Sequence, residues 1–132
     1  MKRFFSTEKG KMLVKDFYKI DGREAQEDGS VVYNVSLNTT HDVYKGHFPE
    51  RPITPGVCNI QMIKELAEDA TGRLLTLTAI DRCRLTAMVT PDGSPVLSIK
   101  VKVDDNTKLS ATIFNGDTTY MTLSGTVADR RD

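Results

Sequence analysis

The sequence predicts an α+β domain in which one helix precedes an antiparallel sheet, and three observations carry that expectation. One stretch, Gly56 to Ala70, places apolar residues at helical spacing. Four later runs are strand-like, with residues 76–80 and 97–103 alternating apolar and polar as half-buried strands do, and turn-forming residues stand between those runs. A helix with one apolar stripe and strands with one apolar face bury those surfaces most simply against each other.

Taken in chain order, residues 11–20 show no clear period, and Asp21-Gly22 and Glu27-Asp28-Gly29 read as turns. The run Val31–Leu37 alternates, with Tyr33, Val35 and Leu37 in one phase. A helix is expected over about 56–71. Ile60, Ile63, Ala67 and Ala70 form its apolar stripe, and Asn59, Met62 and Leu66 widen that face. Gln61, Lys64, Glu65 and Glu68 lie on the opposite side and read as a solvated face. Gly72 reads as the helix stop. Strand-like runs follow at 74–85, 95–103, 107–114 and 119–127. Pro91-Asp92-Gly93, Asp104-Asp105-Asn106 and Asn115-Gly116 are the turns between them, the last being a strong hairpin signal.

At 132 residues the chain suits a single domain spanning 1–132, large enough for one core. Eighteen basic residues offset eighteen acidic ones with no long basic run, which argues against a nucleic-acid partner. No apolar stretch approaches the roughly 20 residues that span a bilayer, so no membrane association is expected. The opening Met1-Lys2-Arg3-Phe4-Phe5-Ser6 lacks the apolar core of a signal peptide. Cys58 and Cys83 form neither a metal spacing nor a disulfide framework. They read as two reduced, buried thiols of a cytoplasmic protein.

The chemistry concentrates at residues 46–57, Gly-His-Phe-Pro-Glu-Arg-Pro-Ile-Thr-Pro-Gly-Val. Pro49, Pro52 and Pro55 each fix their own φ and drive the preceding residue out of the α region, so the loop is stiff before any ligand arrives. His47 puts an imidazole that titrates near neutrality on that loop, suited to general-base work. Gly56, at the expected helix start, combines an unpaired N–H, the positive end of the helix dipole and the absence of a Cβ. A histidine that only caps a hydrogen bond and a glycine that only serves a turn are the alternatives at these two positions.

This segment resembles the hot-dog-fold 3-hydroxyacyl-(acyl carrier protein) dehydratases, whose hallmark HFPxxPxxPGV is matched by His47, Phe48, Pro49, Pro52, Pro55, Gly56 and Val57. The likeness extends more loosely through Ile80-Asp81-Arg82-Cys83-Arg84-Leu85. The resemblance implies a hot dog fold, an antiparallel curved sheet wrapped around one long central helix. It implies a dehydratase of fatty-acid-type biosynthesis that eliminates water from a 3-hydroxyacyl thioester to leave a trans-2-enoyl thioester. It also implies an acyl carrier protein or coenzyme A thioester as substrate, a homodimer or a higher multiple of a dimer, and neither a metal nor an organic cofactor. His47, Gly56 and Gln61 fall at the positions of the catalytic residues, with Phe48, Pro55, Val57 and Glu65 as substrate contacts.

The chain departs from the family at one position. Four residues after Val57 the family carries Glu or Asp, whereas here the residue is Gln61, whose amide can orient a hydroxyl but holds no proton to give. Glu65, one turn on and about 6 Å along the axis, is the nearest replacement on that side. An acyl thioesterase on the same fold and a non-catalytic acyl-thioester binding module are the two alternatives. His41-Asp42 reads as a turn, and Lys45, Arg51, Arg82, Arg84, Lys100 and Lys102 as surface charges that could meet an acidic carrier or a phosphate.

Overall fold

The computed structural model describes residues 17–38, 56–90 and 96–130. Within them β1 (Tyr18–Ala25) and β2 (Val31–Leu37) precede α1 (Gly56–Thr71), and β3 (Leu75–Leu85), β4 (Val96–Asp104), β5 (Lys108–Asn115) and β6 (Thr118–Asp129) follow. The strands form one sheet in the order β1-β2-β4-β5-β6-β3, and every neighbouring pair is antiparallel. The connection from β2 through α1 to β3 therefore crosses the whole sheet, placing β1 at one edge and β3 at the other.

Alternation decides which face is apolar. Val31, Tyr33, Val35 and Leu37 of β2, Leu97, Ile99 and Val101 of β4, Leu109, Ala111 and Ile113 of β5, and Met121, Leu123 and Val127 of β6 are buried on one side. Against them lie Cys58, Met62, Ile63, Leu66 and Ala67 of α1. The helix ends where expected, at Gly72, whose φ is +71° and whose N–H donates to the Glu68 carbonyl at 2.8 Å. One long helix packed on an antiparallel sheet is the hot dog arrangement that the loop motif implied.

Two turns behave as their residues suggest. Asp105 and Asn106 take φ values of +52° and +63°, both central positions of a tight hairpin in the left-handed region. Gly116, at φ +59°, opens the β5–β6 hairpin. The Pro91-Asp92-Gly93 turn lies outside the described residues.

Three expectations need correction. Asp21-Gly22 is not a turn but the irregularity of β1, where the register against β2 shifts between Ile20 and Gly22. Asp21 accepts a hydrogen bond from the Ser36 hydroxyl, which occupies the carboxylate that would otherwise cap a turn. Cys83 is exposed rather than buried, because β3 runs on along the sheet edge past the helix; Cys58 is buried as expected. The polar side of the helix is not solvated either. Lys64 and Glu65 are each only 8% exposed, since β1 and the start of β3 close over them.

Gly125 marks a steric constraint at the β3–β6 pairing. A Cβ there would run into the Ala79 carbonyl oxygen at the β3 bulge and crowd Leu77. Gly125→Ala is expected to destabilise the fold by about 1–3 kcal/mol, the usual effect of overpacking against backbone. Thermal unfolding followed by circular dichroism should show a Tm lower by several degrees.

Candidate active site

The helix start is the fixed part of the site. Gly56 is the first residue of α1 and is half-buried. Its φ is not positive, and a Cβ built on it would meet nothing within 4 Å among the described residues. Backbone geometry therefore does not demand glycine here; what its absence of side chain provides is open approach to the N–H groups of the first turn. Of the other residues singled out in the sequence, His47, Phe48 and Pro55 lie outside the described residues, as do His41, Lys45 and Arg51 and the side chain of Val57.

One turn into the helix the structure joins two residues that the sequence suggested and adds a third. Gln61 Nε2 donates to Glu65 Oε2 at 2.9 Å, the i,i+4 contact that helical geometry provides. The hydroxyl of Tyr18, from β1, donates to Glu65 Oε1 at 2.9 Å. Tyr18 is 2% exposed and its ring meets Phe17 edge-on, with centroids 6.3 Å apart. A strand that the sequence did not reveal thus covers the helix face that was expected to be solvated.

Burial dominates the electrostatics of this cluster. Desolvation pushes the Glu65 carboxyl from its ordinary 4.5 up to about 7, and the hydrogen bonds from Gln61 and Tyr18, with the nearby Lys64 charge, only partly offset it. Glu65 therefore holds a proton to much higher pH than an exposed carboxyl does. Tyr18 is driven well above the usual phenol range, chiefly by burial and then by Glu65, so it remains a hydrogen-bond donor. When Glu65 takes up a proton at Oε2, that O–H needs an acceptor, which Gln61 supplies by rotating its amide. Gln61 then presents its NH2 group outward rather than its carbonyl.

The neighbouring charges are structural. Lys64 Nζ lies 3.3 Å from Glu68 Oε2, and the same oxygen accepts the Leu75 N–H at 2.8 Å, tying the helix to the first residue of β3. Tyr33 donates to Asp69 Oδ2 at 2.5 Å, and Arg23 lies 3.4 Å from that oxygen and 5.7 Å from the Tyr33 ring centroid. These contacts bind β1 and β2 to the second half of the helix. Cys58 is an inert thiol, its pKa pushed up to about 11 by burial. No group of three or more His, Cys, Asp or Glu among the described residues could hold a metal ion.

Sequence reasoning missed Asn59, which it counted as part of the apolar face. Asn59 is 0% exposed, and neither its Nδ2 nor its Oδ1 has a hydrogen-bond partner among the described residues. A buried amide without partners is destabilising by a few kcal/mol. It sits in the first turn, between Gly56 and Gln61, where a polar ligand would satisfy it. The signal was available: asparagine in an otherwise apolar helical stripe is out of pattern.

Comparisons with known proteins agree with this architecture. The family described as ApeI-like, ApeI dehydratase, matches residues 23–125. The curated 3-hydroxyacyl-(acyl-carrier-protein) dehydratase FabZ of Halalkalibacterium halodurans is 30% identical over 95 residues, covering 64% of this chain and 66% of that protein. FabZ of Thermoanaerobacter sp. strain X514 is 29% identical over 85 residues, covering 59% and 60%. The matched segment thus spans two thirds or less of these relatives. Among solved structures, the dehydratase heterocomplex ApeI:P from Xenorhabdus doucetiae superposes with a TM-score of 0.72 at 20% identity, over 85% of this chain and 97% of that one. An uncharacterized protein from Erwinia carotovora subsp. atroseptica gives a TM-score of 0.64 at 17% identity, over 85% and 96%. Both superpositions speak to the fold.

The raised Glu65 pKa has a consequence for stability. The folded chain holds this proton to higher pH than the unfolded chain, so the contribution is full below about pH 4.5 and is lost as pH rises through about 7. Over that window the loss is about 3 kcal/mol, from ~1.4 kcal/mol per pKa unit. Denaturant unfolding from pH 4.5 to 8 should show this decline, and Glu65→Gln, neutral throughout, should flatten it.

Proposed function

This chain belongs to the ApeI-like dehydratase family, and on that premise we propose that it eliminates water from a 3-hydroxyacyl thioester, carried on acyl carrier protein or coenzyme A, in fatty-acid-type biosynthesis. The observation that carries the reading is the buried Glu65 carboxyl, poised near neutrality between Tyr18 and Gln61 on the helix that begins at Gly56.

In this reading His47 removes the proton from C2 of the acyl chain, and the electron pair of that bond becomes the C2=C3 double bond. The hydroxyl leaves C3 and departs as water on receiving a proton. Negative charge that builds on the thioester oxygen meets the N–H of Gly56 and the dipole of α1. Gln61 holds the substrate hydroxyl, and the Oε2 proton of Glu65 turns from the Gln61 carbonyl to that hydroxyl and leaves with it as water, the role that the family's usual carboxylate would fill one turn earlier. Glu65 is left as the carboxylate and regains a proton from solvent before the next turnover. Phe48, Pro55 and Val57 flank the acyl chain, and Asn59 gives its buried amide to a polar group of the thioester arm. No metal or organic cofactor is required by these steps.

We further propose that the working unit is a dimer or a multiple of one. Strand β3 is a sheet edge, and Ile80, Cys83 and Leu85 on it are exposed although they pair with Gly125, Leu123 and Met121 on the core side of the sheet. An apolar edge of this kind is normally covered, and a second copy covers it symmetrically. Light scattering at micromolar concentration should give an even number of chains. In the dimer the loop of one subunit would complete the site on the helix of the other. The single domain 1–132 would be cytoplasmic, where its acyl carriers are.

Turnover tests the assignment. With 3-hydroxyacyl thioesters as substrate, His47→Ala should abolish formation of the enoyl product while leaving Tm little changed. Glu65→Gln should lower turnover by about 10²–10⁴-fold, the usual weight of a general acid. Gln61→Glu would set two carboxyls at hydrogen-bonding distance and move the alkaline limb of the pH profile upward. Release of free thiol instead of water loss would identify a thioesterase, and binding without turnover a non-catalytic module.

Asn59→Leu separates fold from function at the helix start. Removing a buried amide that has no partner among the described residues should raise stability by about 1–3 kcal/mol. It should also raise KM, since a ligand contact is lost. A higher KM together with a lower Tm would contradict the assignment of Asn59 to the substrate.

A further inference from the structure

The face of the sheet turned away from the helix carries an ordered array that the site above does not use. Register places Lys102 opposite Ser110, Ser110 opposite Ser124, and Ser124 opposite Arg82. Two residues along, Lys100 faces Thr112, Thr112 faces Thr122, and Thr122 faces Arg84. Each row crosses four strands with a cation at both ends and two hydroxyls between. At ordinary strand spacing a row is roughly 14 Å long, and the two rows are roughly 7 Å apart.

Short side chains between long ones make a trough. Arg82, Lys100, Lys102, Ser110, Thr112, Thr122 and Ser124 line a depression of about 410 Å³, with Asp28 at its rim. Asp28 lies 3.6 Å from Lys100 and is itself fixed by accepting the N–H and hydroxyl of Ser30 at 2.9 and 2.6 Å. Lys102 lies 3.7 Å from Asp104, at the far end of β4. Neither Arg82 nor Arg84 has an ion-pair partner among the described residues, and the four floor hydroxyls have no hydrogen-bond partner among them. Strand β5 carries no acidic residue, and β6 carries only Asp129, at its end. Across the whole chain acids and bases balance at eighteen each, so this gathering of cations is a product of register, not of composition.

From this geometry we propose that the trough is a binding site for the phosphoryl group of a small phosphorylated molecule, distinct from the acyl site on the other side of the sheet. A phosphate has three oxygens that accept hydrogen bonds and a charge near −2. The floor hydroxyls donate to those oxygens from below, while Arg82 and Lys102 close on them from opposite walls. An acidic protein surface would need a broad, convex contact, whereas a depression of about 410 Å³ has the volume of a small-molecule site.

The test is a titration of the full chain with inorganic phosphate, inorganic pyrophosphate and glycerol phosphate, followed by backbone amide shifts at constant ionic strength. Saturable shifts confined to β4, β5, β6 and the Arg82 stretch of β3 are expected. Arg82→Gln and Lys102→Gln should each weaken binding at least tenfold, whereas Arg73→Gln, which removes a cation paired with Asp129, should leave it unchanged. Stronger binding of glycerol phosphate than of inorganic phosphate would assign the site to phosphate esters, and the reverse to the free anion. Non-saturating shifts, identical shifts with chloride, or equal affinity in the Arg82 and Lys102 variants would overturn the proposal. Ser124→Ala is a second variant in case the charge changes disturb the sheet: it keeps every cation, and undiminished binding in it would remove the hydroxyl floor from the site.

Discussion

Packing of one helix against one face of the sheet is the constraint on which everything else in this protein depends. Met62, Ile63, Leu66 and Ala67 are each no more than 1% exposed, and they share one buried cluster with Tyr33, Val35, Leu97, Ile99 and Ile113 from three adjacent strands. Removing a buried leucine side chain from such a contact typically destabilises by about 2–5 kcal/mol. That is a large share of the stability of a single domain. Because the helix is held along this face, its first turn, with Gly56 and Asn59, has a fixed orientation. The stripe that carries Gln61 and Glu65 is turned toward β1 for the same reason.

The second side of the helix is where stability is given up. A carboxyl that is 8% exposed and desolvated is a poor contributor to folding at neutral pH. The hydrogen bonds from Tyr18 and Gln61 reduce that penalty without removing it. The same side of the helix also holds Lys64 with Glu68 and Tyr33 with Asp69, pairs whose partners are complete. Glu65 differs from them in having no cation at hydrogen-bonding distance among the described residues. A strained protonation equilibrium of this kind is common where a group must give and take a proton. Beside it, Asn59 is a second local departure from good packing, three residues into the same helix.

Sheet alternation gives the two faces opposite characters. Inward residues of β4, β5 and β6 are mostly aliphatic and fill the core, while the outward ones at mid-strand (Lys100, Lys102, Ser110, Thr112, Thr122 and Ser124) are lysine, serine and threonine. A period of two therefore specifies a core and a cationic trough with the same three strands, and a register slip of one residue would destroy both. The bulges between β3 and β6 bring Arg82 and Arg84 opposite Ser124 and Thr122, which completes the second wall.

Much of this was legible in the residues themselves. The helix over 56–71, β2 and the four later strands follow from apolar period, because each has one face that must be buried and short-range turn chemistry at its ends. The loop motif identified the family, and Gln61 stood out as its one departure. What only the tertiary structure decided involves partners distant in sequence. Strand β1 was hidden because Asp21-Gly22 has the composition of a turn, and only pairing with β2 makes it an irregular strand. Glu65 looked solvated because its charged neighbours sit within one helix turn, whereas the group that buries it, Tyr18, is 47 residues away. The exposure of Cys83 depends on where β3 falls at the sheet edge, and the cationic trough on the register of four strands. Local pattern determines which face of an element is apolar; what finally covers that face, and what stands opposite each polar residue, is set by chain segments that local pattern does not reach.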